Sequence, residues 1–358
     1  MRLTSRIIER LPKAEIHCHL DGSLRPKTVL ELADAQGVKL PTHNIARLTR
    51  ILQAGRRTRN LGEYLKIFDI TLSVLQERDA LYRVASELAE DAAAENVRHL
   101  EVRYSPVLHR RKKLAWEQIV DPVIAGLADA GRRHGMSTGV IICGIRSMDP
   151  KVSLALAELA LEYKNRGVLA FDLAGQEKDY PAKAHRAAFQ LVLKNNINVT
   201  VHAGEAFGPA SISQALHYCG AHRIGHGTRL REDRDLMAYV NDHRIPLEVC
   251  LSSNVQTRAA KSIKEHPFPY YFRQGLRVTL NTDSRLVSGT TLSQEYALAA
   301  RAFRLSPYEI KRIVINGFKS SFLPYAQKAR LLREVNLEID RMFMEEYPDD
   351  YDRRATNF

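Results

Sequence analysis

The chain has 358 residues, of which 45% are hydrophobic and 26% charged, an ordinary balance for a globular protein. It contains no run of about 18 consecutive apolar residues, which excludes an integral membrane protein, and its four scattered cysteines never form a C-x-x-C pair, which argues against a disulfide scaffold or a cysteine zinc knuckle. The formal net charge of +12 is compatible with a nucleic acid, a membrane surface or an anionic substrate as partner.

The N-terminal segment, 1–20, has neither a long apolar stretch nor a small-residue cleavage site. It therefore shows no export signal, and we expect a cytoplasmic protein.

Short apolar runs alternate along the chain with segments of helical periodicity. Eight of these runs are candidate strands, at 14–20, 98–103, 139–143, 168–173, 198–202, 223–226, 247–250 and 277–281. Between them, sets such as Leu81, Val84, Ala85, Leu88 and Ala92 fall on one helical face. Strands that alternate with helices predict a parallel sheet, and eight of them fit a closed (β/α)8 (TIM) barrel better than an open doubly wound sheet.

The connection between the first two strands is much longer than one crossover helix. It occupies residues 21–97, and Leu61, Tyr64, Leu65 and Phe68 look like one apolar helix face within it. Insertions after a barrel strand lie where active sites form, so a helical lid over about 28–95 is one interpretation and a decorative insertion is the other. We expect a single barrel domain over 1–345 and a polar, frayed tail over 346–358.

Polar residues gather where the candidate strands end, which is where barrel enzymes carry their catalytic groups. His17 and His19 are two residues apart at the end of the first strand, so both imidazoles face one side. Later strand ends carry His202, Glu205, His226 and Asp283. Each motif is weak alone, but together they predict a site for zinc or another first-row divalent metal.

Six segments occur in this order at the candidate strands: AEIHCHLDGSLRPKT, LAFDLAGQE, VTVHAGE, RIGHG, LEVCLSSN and VTLNTD. As a set they resemble the adenosine deaminase family of the amidohydrolase barrels, from about Pro12 to about Leu332. The resemblance implies zinc-dependent hydrolysis of a 6-aminopurine nucleoside, adenosine or 2′-deoxyadenosine, to inosine or 2′-deoxyinosine and ammonia.

The resemblance also implies a role for each matched residue. The ligands of a single divalent metal, most simply Zn²⁺, would be His17, His19, His202 and Asp283. Glu205 would be the general acid/base, and His226 with Asp283 would orient the attacking hydroxide. Contacts to the substrate would come from the backbone amide of Gly175 at purine N3, from Asp21 near the ribose 5′ end, and from His19, Glu205 and Ser284.

General chemistry supports this allocation. A metal provides a nucleophile at neutral pH by lowering the pKa of bound water toward ~7. A protonated Glu205 beside ring N1 would direct attack to C6, and a desolvated barrel mouth favours the protonated carboxyl. Residues 168–175 contain no lysine that could bridge two metals, which favours one ion.

One position departs from the family pattern. The family usually has a second aspartate directly after the metal aspartate, where it bonds purine N7, and this chain has Ser284. A serine hydroxyl can donate to N7 without any pKa shift, although it is shorter. Ser284 weakens the assignment to plain adenosine, and Arg285 is either a cation for an anionic substituent or a solvated loop charge.

Two other functions stay open. One is a deaminase of a 6-aminopurine with a modified 5′ group, such as aminodeoxyfutalosine or a 5′-thioether adenosine. The other is a nucleic-acid-binding protein, suggested by the net charge and by the basic runs 56–59 and 109–113. Zinc deaminases of polynucleotides carry H-x-E with P-C-x-x-C, and this chain does not. We therefore expect a small purine nucleoside and water as reactants, neither nucleic acid nor membrane as partner, and leave the oligomeric state open.

Overall fold

Eight parallel strands form one sheet in chain order in the computed structural model, which describes residues 3–55, 58, 60–348 and 351–352. Their bounds are Lys13–His19 (β1), Val97–Tyr104 (β2), Ser137–Ile145 (β3), Val168–Ala174 (β4), Asn198–Ala203 (β5), Arg223–His226 (β6), Leu247–Val249 (β7) and Val278–Leu280 (β8). Each candidate strand is therefore present, with ends that differ by at most two residues.

The last strand meets the first through a few backbone contacts. The amide of Asp283 donates to the carbonyl of His17 at 3.0 Å, and the amide of His19 donates to the carbonyl of Asp283 at 2.6 Å. Below them, the amide of Ile16 donates to Oδ1 of Asn281 at 3.2 Å. These contacts complete the (β/α)8 barrel that the strand count predicts.

Helices alternate with the strands and cover the outside of the barrel. α1 (Ser5–Arg10) precedes β1, and the first connection contains α2 (Pro26–Gln36), α3 (Ile45–Leu52), α4 (Leu61–Leu65), α5 (Phe68–Val74) and α6 (Arg78–Ala94). The following connections carry α7 (Trp116–His134), α8 (Pro150–Glu162), α9 (Arg186–Lys194), α10 (Pro209–His217), α11 (Arg234–Asp242), α12 (Leu251–Gln256) and α13 (Phe268–Arg273). After β8 come α14 (Arg285–Ser288), α15 (Leu292–Phe303), α16 (Pro307–Ser320) and α17 (Tyr325–Glu346).

Local sequence signals explain where such helices begin and which face they bury. At the start of α16, the side chain of Glu309 accepts a hydrogen bond from the amide of Ser306 at 2.7 Å, and the amide of Glu309 donates to Oγ of Ser306 at 3.3 Å. This reciprocal pair is a capping box. Pro307 lies in the first turn, where its missing N–H costs no hydrogen bond. On α6 the predicted apolar face is buried from Leu81 to Ala92. The main core is the apolar layer between these helices and the sheet.

The insertion between β1 and β2 is helical, as predicted. The single helix expected through Leu61 and Phe68 is instead two short helices, α4 and α5. Bonds of the i to i+3 type join them, from the amide of Ile67 to the carbonyl of Tyr64 and from Ile70 to Ile67, both 3.3 Å. This tighter turn keeps the apolar side chains on one side, which is why the periodicity runs through the break.

Leu61 and Tyr64 pack in a small apolar cluster with Ala54 and with Val287 of α14. The hydroxyl of Tyr64 lies 2.9 Å from that of Ser288 in the same helix. The insertion is therefore attached to the segment that follows β8.

The C-terminal tail lies only partly within the described residues, which omit 349–350 and 353–358. Tyr351 is buried, with its ring 5.0 Å from that of Tyr308 and 5.3 Å from that of Phe343. The expectation of a frayed tail is therefore wrong at Tyr351, because an aromatic side chain docks there.

The structure also bears on the expected absence of disulfides and of membrane-spanning segments. All four cysteines are buried free thiols, in agreement with the absence of a disulfide scaffold. Across the described ranges, no helix combines the length and the apolar character that crossing a bilayer requires. Positions 56, 57 and 59 of the first basic run lie outside the described residues.

Candidate active site

The residues predicted as metal ligands come together at the C-terminal end of the barrel. His17, His202, His226 and Asp283 are buried, and their ligand atoms all lie within 4.8 Å of one another. His19 joins them, with Nε2 3.0 Å from Nε2 of His202 and 3.3 Å from Oδ1 of Asp283. The structure thus brings the four predicted ligands to one point and places His226 beside them.

Buried carboxylates orient two of these histidines. Nδ1 of His17 lies 2.9 Å from Oε2 of Glu248, and Nδ1 of His202 lies 3.0 Å from Oδ2 of Asp172. Each carboxylate accepts the proton on Nδ1, so Nε2 carries the lone pair. Nε2 of His17 is buried without a hydrogen-bond partner among the residues the structure describes.

An unpaired buried nitrogen is costly, and a metal ion bound at Nε2 would remove that cost. Neutral imidazoles together with one carboxylate are also the donor set that Zn²⁺ and similar divalent ions prefer. The residues present therefore fit a divalent metal.

Arg103, on β2, links the two orienting carboxylates. Its guanidinium donates to Oδ2 of Asp172 at 3.0 Å and to Oε2 of Glu248 at 2.9 Å, and all three side chains are fully buried. Burial alone would raise the pKa of both carboxyls, but the surrounding positive charges, Arg103 among them, hold both pKa values well below the usual range. Both groups therefore stay ionised and can keep the histidines in place.

The protonation states of three of the four candidate ligands also favour a metal. Burial, reinforced by Arg103, lowers the pKa of His17 to about 4, and burial lowers the pKa of His19 well below its usual value. Burial would lower the pKa of His202, but Asp172 together with Asp283 raises it above its ordinary value. Burial would raise the pKa of Asp283, but the neighbouring imidazoles of His17, His226 and His19 hold it well below the usual range. His17, His19 and Asp283 thus present the unprotonated forms that bind metals.

Glu205 and His226 are neighbours at the same end of the barrel. Nε2 of His226 lies 3.6 Å from Oε2 of Glu205, and the hydroxyl of Thr257 donates to Oε1 of Glu205 at 2.9 Å. Burial raises the pKa of Glu205 above its ordinary value, although His226 opposes the shift. The surroundings therefore favour a protonated carboxyl at Glu205.

A chain of side chains fixes the ring of His226. The amide of Asn254 donates to Nδ1 of His226 at 3.0 Å, which leaves the ring proton on Nε2. Asn254 in turn lies 3.2 Å from Nε2 of His266, whose Nδ1 accepts from the amide of Phe268 at 3.1 Å. His226 can therefore donate a hydrogen bond from Nε2 toward the site.

The backbone is strained at two of the site residues. His226 and Asp283 both have φ of +64°, in the left-handed region that residues other than glycine rarely occupy. Such strain costs on the order of 1–3 kcal/mol per residue and persists only where the surrounding structure imposes it. Here it accompanies two side chains that meet at the ends of β6 and β8.

A cavity of about 360 Å³ opens onto these residues, a size suited to a small ligand. The predicted substrate residues Asp21, Gly175 and Ser284 line it together with His19 and Glu205. Side chains of α4 and α5 form another part of its wall. All of the residues predicted to contact the substrate therefore line this cavity.

Two glycines are needed for this lining. Gly175, after β4, has φ of +95°, which side-chain-bearing residues rarely adopt. A Cβ at Gly22 would lie 2.4 Å from Oγ of Ser284, so only glycine permits that approach. The hydroxyl of Ser284 is itself buried and has no hydrogen-bond partner within the described part of the chain.

Neither expectation for Arg285 holds. Its side chain is mostly buried and forms an ion pair with Glu95, directly after α6, so it is not a solvated loop charge. Because Glu95 neutralises the guanidinium, Arg285 does not supply a cation for an anionic substituent either.

Sequence reasoning missed the residues that hold the site together, namely Arg103, Asp172, Glu177, Glu248, Ser253, Asn254 and Thr257. Ser253, for example, donates to Oδ2 of Asp283 at 2.6 Å. A signal was available for two of them, because Asp172 and Glu248 are charged residues within otherwise apolar strands. A charge in that position requires a buried partner.

Known proteins match this chain over nearly its whole length. The sequence pattern of the adenosine deaminase family matches residues 12–338. An adenosine deaminase of Mycobacterium sp. (strain JLS) is 43% identical over 349 residues, covering 93% of this chain and 96% of the relative. A probable adenosine deaminase of Dictyostelium discoideum is 40% identical over 332 residues, covering 93% of this chain but only 43% of the relative.

Among solved structures, Arabidopsis ADAL complexed with IMP is similar at a TM-score of 0.84 and 29% identity, covering 94% of this chain and 99% of that chain. The family and its fold imply a divalent metal, which the donor set at the barrel mouth can hold. This chain belongs to the adenosine deaminase family and is a deaminase, a hydrolase that acts on C–N bonds.

Proposed function

We propose that the protein hydrolyses adenosine and 2′-deoxyadenosine to the inosine products and ammonia, with one Zn²⁺ held by His17, His19, His202 and Asp283. The observation that carries the proposal is the group of buried imidazoles and one carboxylate that opens, beside Glu205, into a cavity of about 360 Å³. Relatives named adenosine deaminase, at 43% and 40% identity, support the choice of nucleoside.

His17, His19, His202 and Asp283 would hold the divalent metal, which when bound would provide the nucleophile by lowering the pKa of a water toward ~7. The carboxyl of Glu205, whose pKa burial raises, donates its proton to ring N1 and so makes C6 electrophilic. His226 donates from Nε2 to hold the attacking oxygen, while Asn254 keeps the ring in that tautomer. Of the two protons of the attacking water, one then passes through Glu205 to the departing ammonia and the other returns to Glu205, which is protonated again at the end of the cycle.

The purine is held by groups around the cavity. The hydroxyl of Ser284, which has no partner among the described residues, donates to N7, and the backbone amide of Gly175 meets N3. Asp21 accepts from the 5′ hydroxyl of the ribose, and His19 borders the same end. The apolar side chains of α4 and α5 act as a lid that excludes water from the base.

The charges of the cavity favour an uncharged 5′ end. Asp21, Asp69 and Asp283 are acidic residues that line it beside the protonated Glu205, although burial raises the pKa of Asp21 to about 7, and no lysine or arginine among the described residues lines it. A 5′ phosphate, as in the IMP bound by ADAL, or the carboxylate of aminodeoxyfutalosine would face like charges there. The apolar lining at Leu72, Leu108 and Met148 keeps a 5′-thioether adenosine as the second candidate.

A nucleic acid is not the proposed partner. In the second basic run, His109 is buried, Arg110 lies over the ring of Trp116 at 4.2 Å, and Lys112 pairs with Glu77. These contacts are typical of a solvated loop that packs on its own neighbours. We also place the protein in the cytoplasm, a proposal that the four buried free thiols support because such compartments keep cysteines reduced.

Turnover of adenosine by the metal-replete protein tests the proposal. We expect the fall in ultraviolet absorbance that accompanies formation of inosine, and we expect His17→Ala to lose both activity and bound metal. His99→Ala is the matched control, because His99 is also buried but bonds Ser137 and Glu101 at the start of β2. Turnover of the 5′-thioether analogue alone would select the second candidate, and full metal content in His17→Ala would remove His17 from the ligands.

A further inference from the structure

Glu177, in the loop after β4, accepts hydrogen bonds from four consecutive backbone amides. Its Oε1 accepts from Gly204 at 2.6 Å. Its Oε2 accepts from Glu205 at 3.0 Å, Ala206 at 2.6 Å and Phe207 at 2.9 Å. The four amides belong to the loop that leaves β5 and carries Glu205.

This loop has no regular structure that could satisfy those amides. It lies between the end of β5 at Ala203 and the start of α10 at Pro209, and it turns at Gly204 with φ of +72°. Glu177 is 4% exposed, so water cannot substitute freely for its oxygens. A carboxylate offers about four acceptor positions and no donor, which suits a set of converging amides.

The side chain of Glu205 has few anchors of its own. Thr257 donates to one carboxyl oxygen, and His226 lies 3.6 Å from the other. The position of the carboxyl therefore depends on where the backbone of the loop holds its Cα. Glu177 fixes that backbone from a different βα connection.

We propose that Glu177 is a positioning residue for the deamination: its carboxylate holds the 204–207 backbone so that Glu205 meets the purine ring. The proposal rests on the proposed role of Glu205. Glu177 touches neither substrate nor metal in this scheme and acts only through the loop. Because Glu205 works in the chemical step and the cavity wall binds the purine, loosening the loop lowers kcat more than it changes KM.

Glu177→Gln is the test variant, since it keeps the shape but turns an NH2 group toward amides that can only donate. We expect kcat for adenosine to fall by about 10- to 100-fold, the scale of a small misplacement of a catalytic group, with KM within about threefold and metal content unchanged. Glu309→Gln is the matched control, because Glu309 also accepts a backbone amide, that of Ser306 at 2.7 Å, but in the capping box of α16. It should leave kcat unchanged.

A double-mutant cycle separates positioning from general destabilisation. In a Glu205→Gln background, Glu177→Gln should lower the residual kcat by less than about twofold, because the residue it acts through is already absent. An undiminished effect there, or wild-type kcat in Glu177→Gln alone, would overturn the proposal. Glu177→Asp, which keeps the charge on a shorter side chain, should recover part of the lost kcat.

Hydrogen exchange provides a readout that does not depend on the substrate. We expect the amides of 204–207 to exchange faster in Glu177→Gln than in the wild type and in Glu309→Gln. Unaltered exchange would overturn the inference even if the wild type deaminates adenosine. Conversely, faster exchange in a protein without adenosine turnover would uphold the anchoring of the loop and reject the proposed function.

Discussion

At the scale of single residues, Nε2 of His17 and Oγ of Ser284 are buried polar atoms near the barrel mouth without a hydrogen-bond partner in the described structure, and Ser284 lines the cavity. A folded protein rarely leaves such atoms unpaired, because each costs about 1–3 kcal/mol. Both flank Asp283, one at the end of β1 and one directly after Asp283 in the chain. The simplest physical account is that ligands complete both atoms, a metal at His17 and a purine nitrogen at Ser284.

Ser284→Ala tests the second half of that account. Removal of the hydroxyl should lower kcat/KM for adenosine by an amount equivalent to about 1–3 kcal/mol, the cost of one buried hydrogen bond. The melting temperature should not fall, since the hydroxyl has no partner in the described part of the protein. Steady-state kinetics and thermal unfolding measure the two effects.

Ser320→Ala is the control for this prediction. Its hydroxyl is likewise buried and unpaired among the described residues, but it lies at the end of α16. It should leave kcat/KM unchanged. If Ser284→Ala also has the wild-type value, Ser284 does not contact the substrate.

The sequence allowed the proposed metal and substrate residues to be named but not the residues that hold them in place. Histidines and carboxylates at strand ends stand out because the barrel geometry brings every strand end to one mouth. The pairing of Arg103 with its partners does not, since Asp172 is 69 and Glu248 is 145 residues away in the chain. Such pairs join strands that are not neighbours in the sheet, and no local pattern identifies them.

At the scale of elements, the strands were predictable because each buried run is short, apolar and bounded by polar residues. The insertion was harder, because α4 and α5 keep a continuous apolar face across a change of hydrogen-bonding pattern. Its attachment to the barrel was not predictable at all. One attachment is His109, in the short turn after β2, whose Nδ1 donates to the carbonyl of Leu75 at the end of α5 at 2.9 Å.

His109 should make the stability of the protein depend on pH. Burial, with Arg111 acting in the same direction, lowers its pKa to about 4 from the ordinary value of 6.5. Between these values the unfolded chain binds more protons, so the free energy of unfolding falls as the pH falls from 6.5 toward 4. Acidification from about pH 7.5 to about pH 5 should cost about 2 kcal/mol through this residue.

Denaturant unfolding of His109→Gln at the two pH values measures this contribution. Glutamine keeps a donor for Leu75 but does not titrate, so the wild type should lose about 2 kcal/mol more than the variant. His134→Gln, at the exposed end of α7, is the control and should follow the wild type. Equal losses in His109→Gln and the wild type would contradict the prediction.

At the scale of the whole molecule, the net charge of +12 and the charge of the cavity have opposite signs. A second cavity, of about 710 Å³, adjoins the first and shares Leu61, Gln176 and Glu205 with it. Several cations line this second cavity, among them Lys178 and Arg229. Composition gives only the sum of these charges. Their separation follows from the fold, which lines the first cavity with carboxyl groups and gathers cations such as Lys178 and Arg229 around the second.

This separation predicts that the protein prefers adenosine to AMP. The outer positive charge attracts both the nucleotide and other anions, but the 5′ phosphate must then approach Asp69 and Asp21, so it meets like charge at pH values above about 7, the value to which burial raises the pKa of Asp21. We expect kcat/KM for adenosine to exceed that for AMP by at least about 100-fold. Asp69→Asn should raise the value for AMP several-fold without changing that for adenosine, most clearly at low ionic strength.

Asp79→Asn is the matched control, because Asp79 is exposed in the first turn of α6, the helix that follows α5. Asp79→Asn should leave kcat/KM unchanged for both substrates. An increase in kcat/KM for AMP in Asp69→Asn would then be caused by the loss of a charge in the cavity and not by the change in net charge. Equal kcat/KM for AMP and adenosine would mean that the phosphate reaches the cations of the second cavity. The nucleoside assignment would then give way to a nucleotide, while the metal site and the role of Glu205 would stand.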